Sequence, residues 1–169
     1  MKKLILAAIA VLGFVSFSNA QEGFKVGANV GLPVGDASDY ASFSVGLDVA
    51  YLAELGDSFY LGGATGFING FGDDQTVSVA GYTVTAEADD VQYIPVAASA
   101  RYLFTDAFYV GADLGYGIAI TDGLDGGFYY KPKVGYQISD LIGVNVSYVG
   151  VAEDGASWNT VNAGVEFSF

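Results

Sequence analysis

The sequence predicts an all-β protein, an eight-stranded antiparallel up-and-down transmembrane β-barrel preceded by a cleaved signal peptide. Three observations favour this fold. Hydrophobic residues make up 52% of the chain, yet beyond residue 20 no uncharged apolar run is long enough for a membrane helix. Eight segments alternate apolar with polar residues, and the connections between them alternate in length. Within these segments every charged residue lies on the face opposite the aliphatic row.

The first twenty residues have the pattern of a secretory signal peptide. A basic start is followed by an uncharged stretch from Leu4 to Phe17, and Ser18 and Ala20 place small residues before a cut at Gln21. A membrane-anchoring helix is the alternative, but this stretch is shorter than the ~20 residues that cross a bilayer. We therefore expect residues 1–20 to be removed and residues 21–169 to form one barrel domain in the outer membrane of a Gram-negative bacterium.

Charge and composition exclude several classes of function. Loss of Lys2 and Lys3 leaves four basic residues against nineteen acidic ones and lowers the formal net charge from −13 to −15. Nucleic acid is therefore not an expected partner, because its phosphates require a basic surface. The chain contains no His and no Cys, which excludes the His-dependent mechanisms of barrel proteases, deacylases and acyl transferases. Paired acids at 73–74 and 87–90 lie in a loop without a cleft, so we expect no enzyme and no cofactor.

The eight alternating segments also predict which face meets lipid. They span residues 24–32, 43–51, 59–67, 93–104, 108–118, 128–138, 142–148 and 160–169. Their apolar rows are expected to face outward, because a closed sheet pairs its backbone groups and tolerates hydrocarbon. The alternative, a soluble carrier with the apolar rows inward, leaves too few charges outside for solubility. Pro95 and Pro132 lie inside two segments, and each predicts a bulge or a position near the outer strand end.

The connections predict the orientation of the barrel. Short turns at 54–58, 105–107 and 139–141 alternate with longer acidic loops at 33–40, 69–90, 120–126 and 152–157. Short periplasmic turns and long extracellular loops are typical of bacterial barrels, so both termini are expected in the periplasm. Two alternating stretches at 76–79 and 82–85 flank Ala80 and Gly81. They predict a hairpin that extends strands three and four, and a disordered loop is the alternative.

The charged strand residues predict a filled lumen. They are Lys25, Asp48, Arg101, Asp113, Lys131, Lys133 and Glu166. Buried charges must be paired, and neighbouring strands would pair Lys25 with Asp48 and Glu166, and Asp113 with Arg101 and Lys133. Inward glycines leave room for the tyrosines at 60, 93, 109 and 129, so packing is expected rather than a wide channel. The interpretation is an ion-pair plug that fills the barrel, and gating is the alternative.

Three segments carry a resemblance to a known family. They are residues 93–96 (Tyr-Ile-Pro-Val), residues 128–136 (Phe-Tyr-Tyr-Lys-Pro-Lys-Val-Gly-Tyr) and the ending at 164–169 (Gly-Val-Glu-Phe-Ser-Phe). The chain resembles the small outer-membrane barrels of the OmpA/OmpX type and the porin-like outer membrane protein β-barrel domain of Bacteroidetes. The resemblance implies that Val165, Phe167 and Phe169 form the signal for the barrel-assembly machinery. Since the chain stops with strand eight, we expect no tether to peptidoglycan.

Two functions remain open at this point. The first is a structural or surface-interaction barrel that supports membrane integrity and displays acidic extracellular loops, with adhesion as one use. The alternative is a narrow porin-like channel for ions or small solutes. The loop acids are Asp36, Asp39, Asp73, Asp74, Glu87, Asp89, Asp90, Asp122, Asp125, Glu153 and Asp154. They could bind an extracellular ligand or divalent cations, or form only a solvated repulsive surface. The other expected partners are outer-membrane lipids, and the barrel is expected to be a monomer.

Overall fold

The computed structural model describes residues 22–73, 75–79, 82–86, 89–153 and 156–169. The predicted signal peptide and the loop acids Asp74, Glu87 and Asp154 lie outside the described residues. The strands are β1 (Gly23–Pro33), β2 (Ala41–Gly56), β3 (Phe59–Gly72), β4 (Gln75–Val79), β5 (Tyr82–Ala86), β6 (Val91–Leu103), β7 (Phe108–Ala119), β8 (Gly127–Gln137), β9 (Ile142–Glu153) and β10 (Ala156–Ser168). A short 3-10 helix, η1 (Gly35–Asp39), follows β1. Among the described residues, no helix has the length and apolarity needed to cross a membrane.

Eight of these strands close into an antiparallel barrel, which confirms the predicted fold. Their order around the ring is β1, β10, β9, β8, β7, β6, β3, β2. The ring closes where β1 pairs with β10, from Lys25 opposite Ser168 to Pro33 opposite Thr160. Strands β4 and β5 form a hairpin of their own between β3 and β6. The hairpin agrees with the prediction, but it is a separate two-stranded sheet and not a continuation of the barrel strands.

Strands β9 and β10 are longer than the sequence pattern indicated. The expected loop at 152–157 is mostly strand, because β9 extends to Glu153 and β10 begins at Ala156. The two-residue period continues here, but the inward positions change from polar to apolar at Val149, Val151 and Trp158. The predicted segments 142–148 and 160–169 are therefore shorter than the strands themselves.

The two prolines do not mark bulges, which was one of the two predicted outcomes. The other outcome was a position near the outer strand end: Pro95 is the fifth of 13 residues in β6 from that end, and Pro132 is the sixth of 11 in β8. Around Pro95, the pairing of β3 with β6 keeps one register, with Thr65 opposite Val96 and Ile68 opposite Tyr93. Thr65 donates a side-chain hydrogen bond of 2.8 Å to the Pro95 carbonyl oxygen beside this interruption. Pairing of β8 with β9 likewise resumes in the same register after Pro132. Each proline removes a donor from the ladder without adding a residue to either strand.

The outward face of the barrel is apolar. Val30, Leu47 and Leu114 are 62%, 60% and 52% exposed, although each lies within a paired strand. Aromatic pairs lie near the strand ends, such as Phe24 with Tyr51 at a ring-centroid distance of 5.0 Å. This arrangement is the reverse of a soluble carrier, which would place the apolar row around a ligand.

We expect Leu47→Arg to prevent stable insertion of the barrel into phospholipid vesicles. Arg on the lipid face near the midplane costs about 2–4 kcal/mol, whereas near the interface it costs about 0–1 kcal/mol. Leu55→Arg is the matched control, because Leu55 is 64% exposed at the end of the same strand. The stability of both variants is measured by urea unfolding in vesicles. The gel shift between unheated and boiled samples reports the folded fraction. Equal stability of the two variants would contradict a lipid-facing Leu47.

Candidate functional site

The seven charged residues that the sequence placed on the inner face of the strands point into the barrel lumen. Lys25, Arg101, Asp113, Lys131 and Glu166 are buried, with at most 7% of each residue exposed. The other two, on β2 and β8, are half-buried. The lumen therefore holds four cationic and three anionic side chains, and its charge must be balanced within a narrow space.

One ion pair crosses the full width of the barrel. Arg101 on β6 donates hydrogen bonds from Nη2 to both carboxylate oxygens of Glu166 on β10, at 2.9 and 2.8 Å. These strands are four positions apart around the ring in either direction, so they lie opposite each other. The guanidinium carbon of Arg101 also lies 3.9 Å from the ring centroid of Tyr109, a cation–π contact. A Cβ at Gly135 would overlap the Tyr109 ring, so glycine is needed there for space.

A second ion pair also crosses the lumen. Lys131 on β8 donates a 2.5 Å hydrogen bond to Asp48 Oδ2 on β2, and these two strands are also opposite each other. Asn29 on β1 donates to the same oxygen at 2.8 Å. The two crossing pairs connect four strands that share no backbone pairing with their partners.

The third ion pair joins neighbouring strands. Lys133 on β8 contacts both carboxylate oxygens of Asp113 on β7 at 2.9 Å. Ser99 on β6 donates a further hydrogen bond of 2.5 Å to Asp113. Near the end with the short turns, the Lys25 ammonium donates to the Ser168 hydroxyl at 2.9 Å.

The pairing differs from the one expected from neighbouring strands. The structure brings Lys133 and Asp113 together, as expected. Arg101 pairs with both carboxylate oxygens of Glu166, whereas Asp113 was its expected partner. Asp48 pairs with Lys131, whereas Lys25 was its expected partner. The physical reason is the small diameter of an eight-stranded barrel, which allows long side chains to meet across it.

An apolar cluster seals the lumen at the end with the long loops. It consists of Ala37, Ala41, Ile68, Tyr93, Tyr129, Val149, Val151 and Trp158. Ala37 belongs to η1 and is fully buried, so this helix covers the mouth of the barrel. The Trp158 indole packs where a Cβ at Gly70 would lie. We call these residues the outer cap. The sequence placed Tyr93 and Tyr129 inside the barrel but did not identify the rest of the outer cap, although continued alternation along β9 and β10 was a signal for it.

The cavity that lies among the ion pairs is small. A cavity of about 20 Å³ lies among Lys25, Asp48, Lys131, Lys133 and Glu166. A water molecule needs about 10–15 Å³ of such space, so this cavity holds about one. At the level of the ion pairs, the lumen is therefore packed with side chains.

The acids of the long loops divide into two groups. The exposed ones among the described residues are Asp36, Asp39, Asp73, Asp89, Asp122 and Asp125. Asp90 and Glu153 instead take part in the structure. Asp90 accepts hydrogen bonds from Asn69 Nδ2 at 3.1 Å and from the Gly72 amide at 3.3 Å, and Glu153 accepts one from the Tyr93 hydroxyl at 2.5 Å. In the part of the chain that the structure describes, no three acidic side chains are grouped so as to hold a metal ion.

Known structures share this fold at low sequence identity. Ail from Yersinia pestis, in complex with the heparin analogue sucrose octasulfate, is 15% identical, with a TM-score of 0.56 over 88% of this chain and 99% of that chain. Neisserial surface protein A is 17% identical, with a TM-score of 0.50 over 88% and 98%. A de novo designed transmembrane β-barrel is 12% identical, with a TM-score of 0.55 over 90% and 100%. These likenesses establish the barrel fold. No protein-family model matches the chain, and no curated protein sequence does.

Removing one partner of the Arg101–Glu166 pair should destabilise the barrel more than removing both. Arg101→Met or Glu166→Leu alone leaves a buried charge without its main partner, which costs about 3–5 kcal/mol. The double variant keeps the charge balance of the lumen, and we expect it to be more stable than either single variant. This double-mutant cycle compares the free energies of unfolding of the unmodified protein, the two single variants and the double variant, measured with denaturant in vesicles. The pairing would be contradicted if the double variant lowered the free energy of unfolding by the sum of the two single losses.

The single tryptophan of the chain reports on the outer cap. We expect Trp158 fluorescence to be blue-shifted and resistant to quenching by acrylamide, because the residue is only 5% exposed. Ala37→Arg forces a charge into the cap and should shift the emission to longer wavelength and increase quenching. Ser38→Arg adds the same charge at an exposed position of η1 and should leave the spectrum unchanged. An open mouth would instead give an easily quenched Trp158 in the unmodified protein.

Proposed function

We propose that the protein is an integral outer-membrane barrel, closed to solutes, that acts through its acidic long-loop face and not through catalysis. The observation that carries this proposal is the segregation of charge. Every basic residue beyond residue 20 lies in the lumen, as do Asp48, Asp113 and Glu166. The described acidic residues that are exposed, such as Asp36, Asp122 and Asp57, lie in the loops and turns, and the sequence beyond residue 20 has no basic residue other than the four in the lumen. Both ends of the barrel therefore present only negative side-chain charge.

The outer-membrane location is supported by three independent features. The chain begins with an export signal by its sequence pattern, the outward face of the barrel is apolar, and Ail and Neisserial surface protein A share the fold. We assign the short turns to the periplasm and the long loops to the cell exterior. A monomer is the proposed state, and outer-membrane lipids are its proposed surroundings. The narrower likeness to the Bacteroidetes-type domain stays a sequence-based prediction.

The end of β10 suits the proposed assembly signal. Val165 and Phe167 are exposed on the outward face of β10, at 39% and 40%. The Phe169 amide donates a hydrogen bond of 2.9 Å to the Phe24 carbonyl oxygen, so this end lies at the seam with β1. An outward-facing apolar edge at the seam is accessible until the ring closes. We propose that the barrel-assembly machinery binds it at that stage.

The filled lumen favours a closed barrel over the alternative of a narrow channel. Two crossing ion pairs and the outer cap occupy the path that a solute would take. Opening this path requires separation of buried charge pairs, each costing several kcal/mol in the absence of new partners. The interior is therefore best explained as structural filling.

The chemistry of the outer face favours a cationic partner. Ail has a structure with a polysulfated heparin analogue, but the long loops of this chain carry only acidic charge and would repel such a polyanion. A basic peptide or a basic patch of a surface protein fits this field, and contact with one is a form of adhesion. Divalent cations would associate with this face diffusely, because the described acids do not form a chelating group.

A binding experiment in nanodiscs tests this assignment. We expect a lysine-rich peptide to bind the purified protein with an affinity that falls steeply as salt rises, and sucrose octasulfate not to bind. The triple variant Asp36→Asn, Asp122→Asn and Asp125→Asn should weaken peptide binding, because it removes three exposed charges from the outer face.

The control variant removes the same number of negative charges from the opposite end of the barrel. It combines Asp57→Asn, Asp106→Asn and Asp140→Asn. These three residues lie in the short turns and, like the loop acids of the first variant, are exposed. This variant should retain most of the binding. Equal weakening by both triple variants would show a response to net charge alone, and binding of sucrose octasulfate would overturn the cationic partner.

A further inference from the structure

The outward face of the barrel has shallow depressions on one side. Two adjoining depressions, of about 680 and 400 Å³, cross strands β7 to β10 and β1 and share Val134 and Val146. The floor of the larger depression is formed by small aliphatic side chains. We call it the aliphatic trough, and its residues are Ala28, Val134, Val144, Val146, Ala163 and Val165.

The register explains why the trough is continuous. Val134 on β8 lies opposite Val146 on β9, and Val146 lies opposite Ala163 on β10. One step closer to the short turns, Val144, Val165 and Ala28 follow one another across β9, β10 and β1 in the same way. Because side chains at paired positions are neighbours on one face of a sheet, these small residues form one uninterrupted low surface.

Larger aromatic residues border the trough at the end with the short turns. Phe108 on β7 lies opposite Tyr136 on β8, and they are 40% and 55% exposed. Both side chains stand out from the sheet beside the first row of valines. The depression is therefore open along the barrel wall and bounded by rings at the proposed periplasmic interface.

We propose that the aliphatic trough binds one acyl chain of a phospholipid from the periplasmic leaflet as an ordered lipid. Every residue of the floor is aliphatic, so the trough suits a hydrocarbon chain and offers no group that would bind a charged headgroup. The depression lies within the apolar outward face and reaches Phe108 and Tyr136, where a phospholipid headgroup would leave the hydrocarbon region.

A second copy of the chain fits this surface less well. A twofold dimer places the same patch of both copies face to face. Two concave troughs in that arrangement would enclose a void, and unfilled apolar space forfeits packing energy. A flexible chain can follow the depression without this loss.

Native mass spectrometry of the protein transferred from phosphatidylcholine nanodiscs into detergent tests the proposal. We expect the unmodified protein to retain one phosphatidylcholine molecule. Ala163→Phe fills the trough and should reduce the retained fraction by about tenfold. The matched control is Ala98→Phe, an exposed outward alanine on β6, which is opposite β10 in the ring. It should retain the lipid, and the gel shift on heating verifies that both variants are folded.

Three results would overturn the proposal. The first is that the unmodified protein retains no phosphatidylcholine, and the second is that both alanine variants lose it equally. The third is that a second copy of the chain occupies the trough. Because the chain contains no cysteine, Ala163→Cys provides a unique crosslinking site, with Ala98→Cys as its control. Preferential disulfide-linked dimers of Ala163→Cys in the nanodisc would assign the trough to a protein interface.

Discussion

The narrow interior of an eight-stranded ring is the constraint on which the rest of this structure depends. Such a barrel has room for side chains but not for a column of water, so inward charged groups must find partners within the protein. Arg101 and Lys131 meet this requirement by reaching Glu166 and Asp48 on the opposite wall. Pairs of this kind connect strands that share no backbone hydrogen bonds. They therefore require the closed ring and stabilise it in turn.

The same constraint explains the surface charge. The lumen contains all the basic residues beyond residue 20, with three acidic partners. The charged side chains at the two exposed ends are therefore all acidic. The outer cap separates the two regions, since Ala37 and Trp158 cover the ion pairs on the side of the long loops. The residues that fill the lumen thus differ from the exposed acids of the long loops, such as Asp36, Asp122 and Asp125.

Much of this architecture could be predicted from the sequence, because a two-residue period determines which face a side chain occupies. The period placed Leu47 outside and Arg101 inside, and it gave the correct number of barrel strands. It could not identify the partner of Arg101, since alternation gives the face of the sheet and not the geometry across the ring. Most of the outer cap was also missed. Trp158 occupies an inward position, but the last strand was expected to begin only at residue 160.

The loop acids show a second limit of sequence reasoning. Asp90 and Glu153 have the same residue type as their exposed neighbours, yet both are held by hydrogen bonds to residues distant in sequence. Only the folded barrel brings Asn69 to the first acid and Tyr93 to the second.

Single-channel recording of the purified protein in planar bilayers tests the central claim most directly. A lumen filled by crossing ion pairs and closed by the outer cap should give no reproducible conductance steps at ordinary voltages and salt. Stable steps of uniform size from the unmodified protein would contradict the closed barrel and would favour the narrow channel.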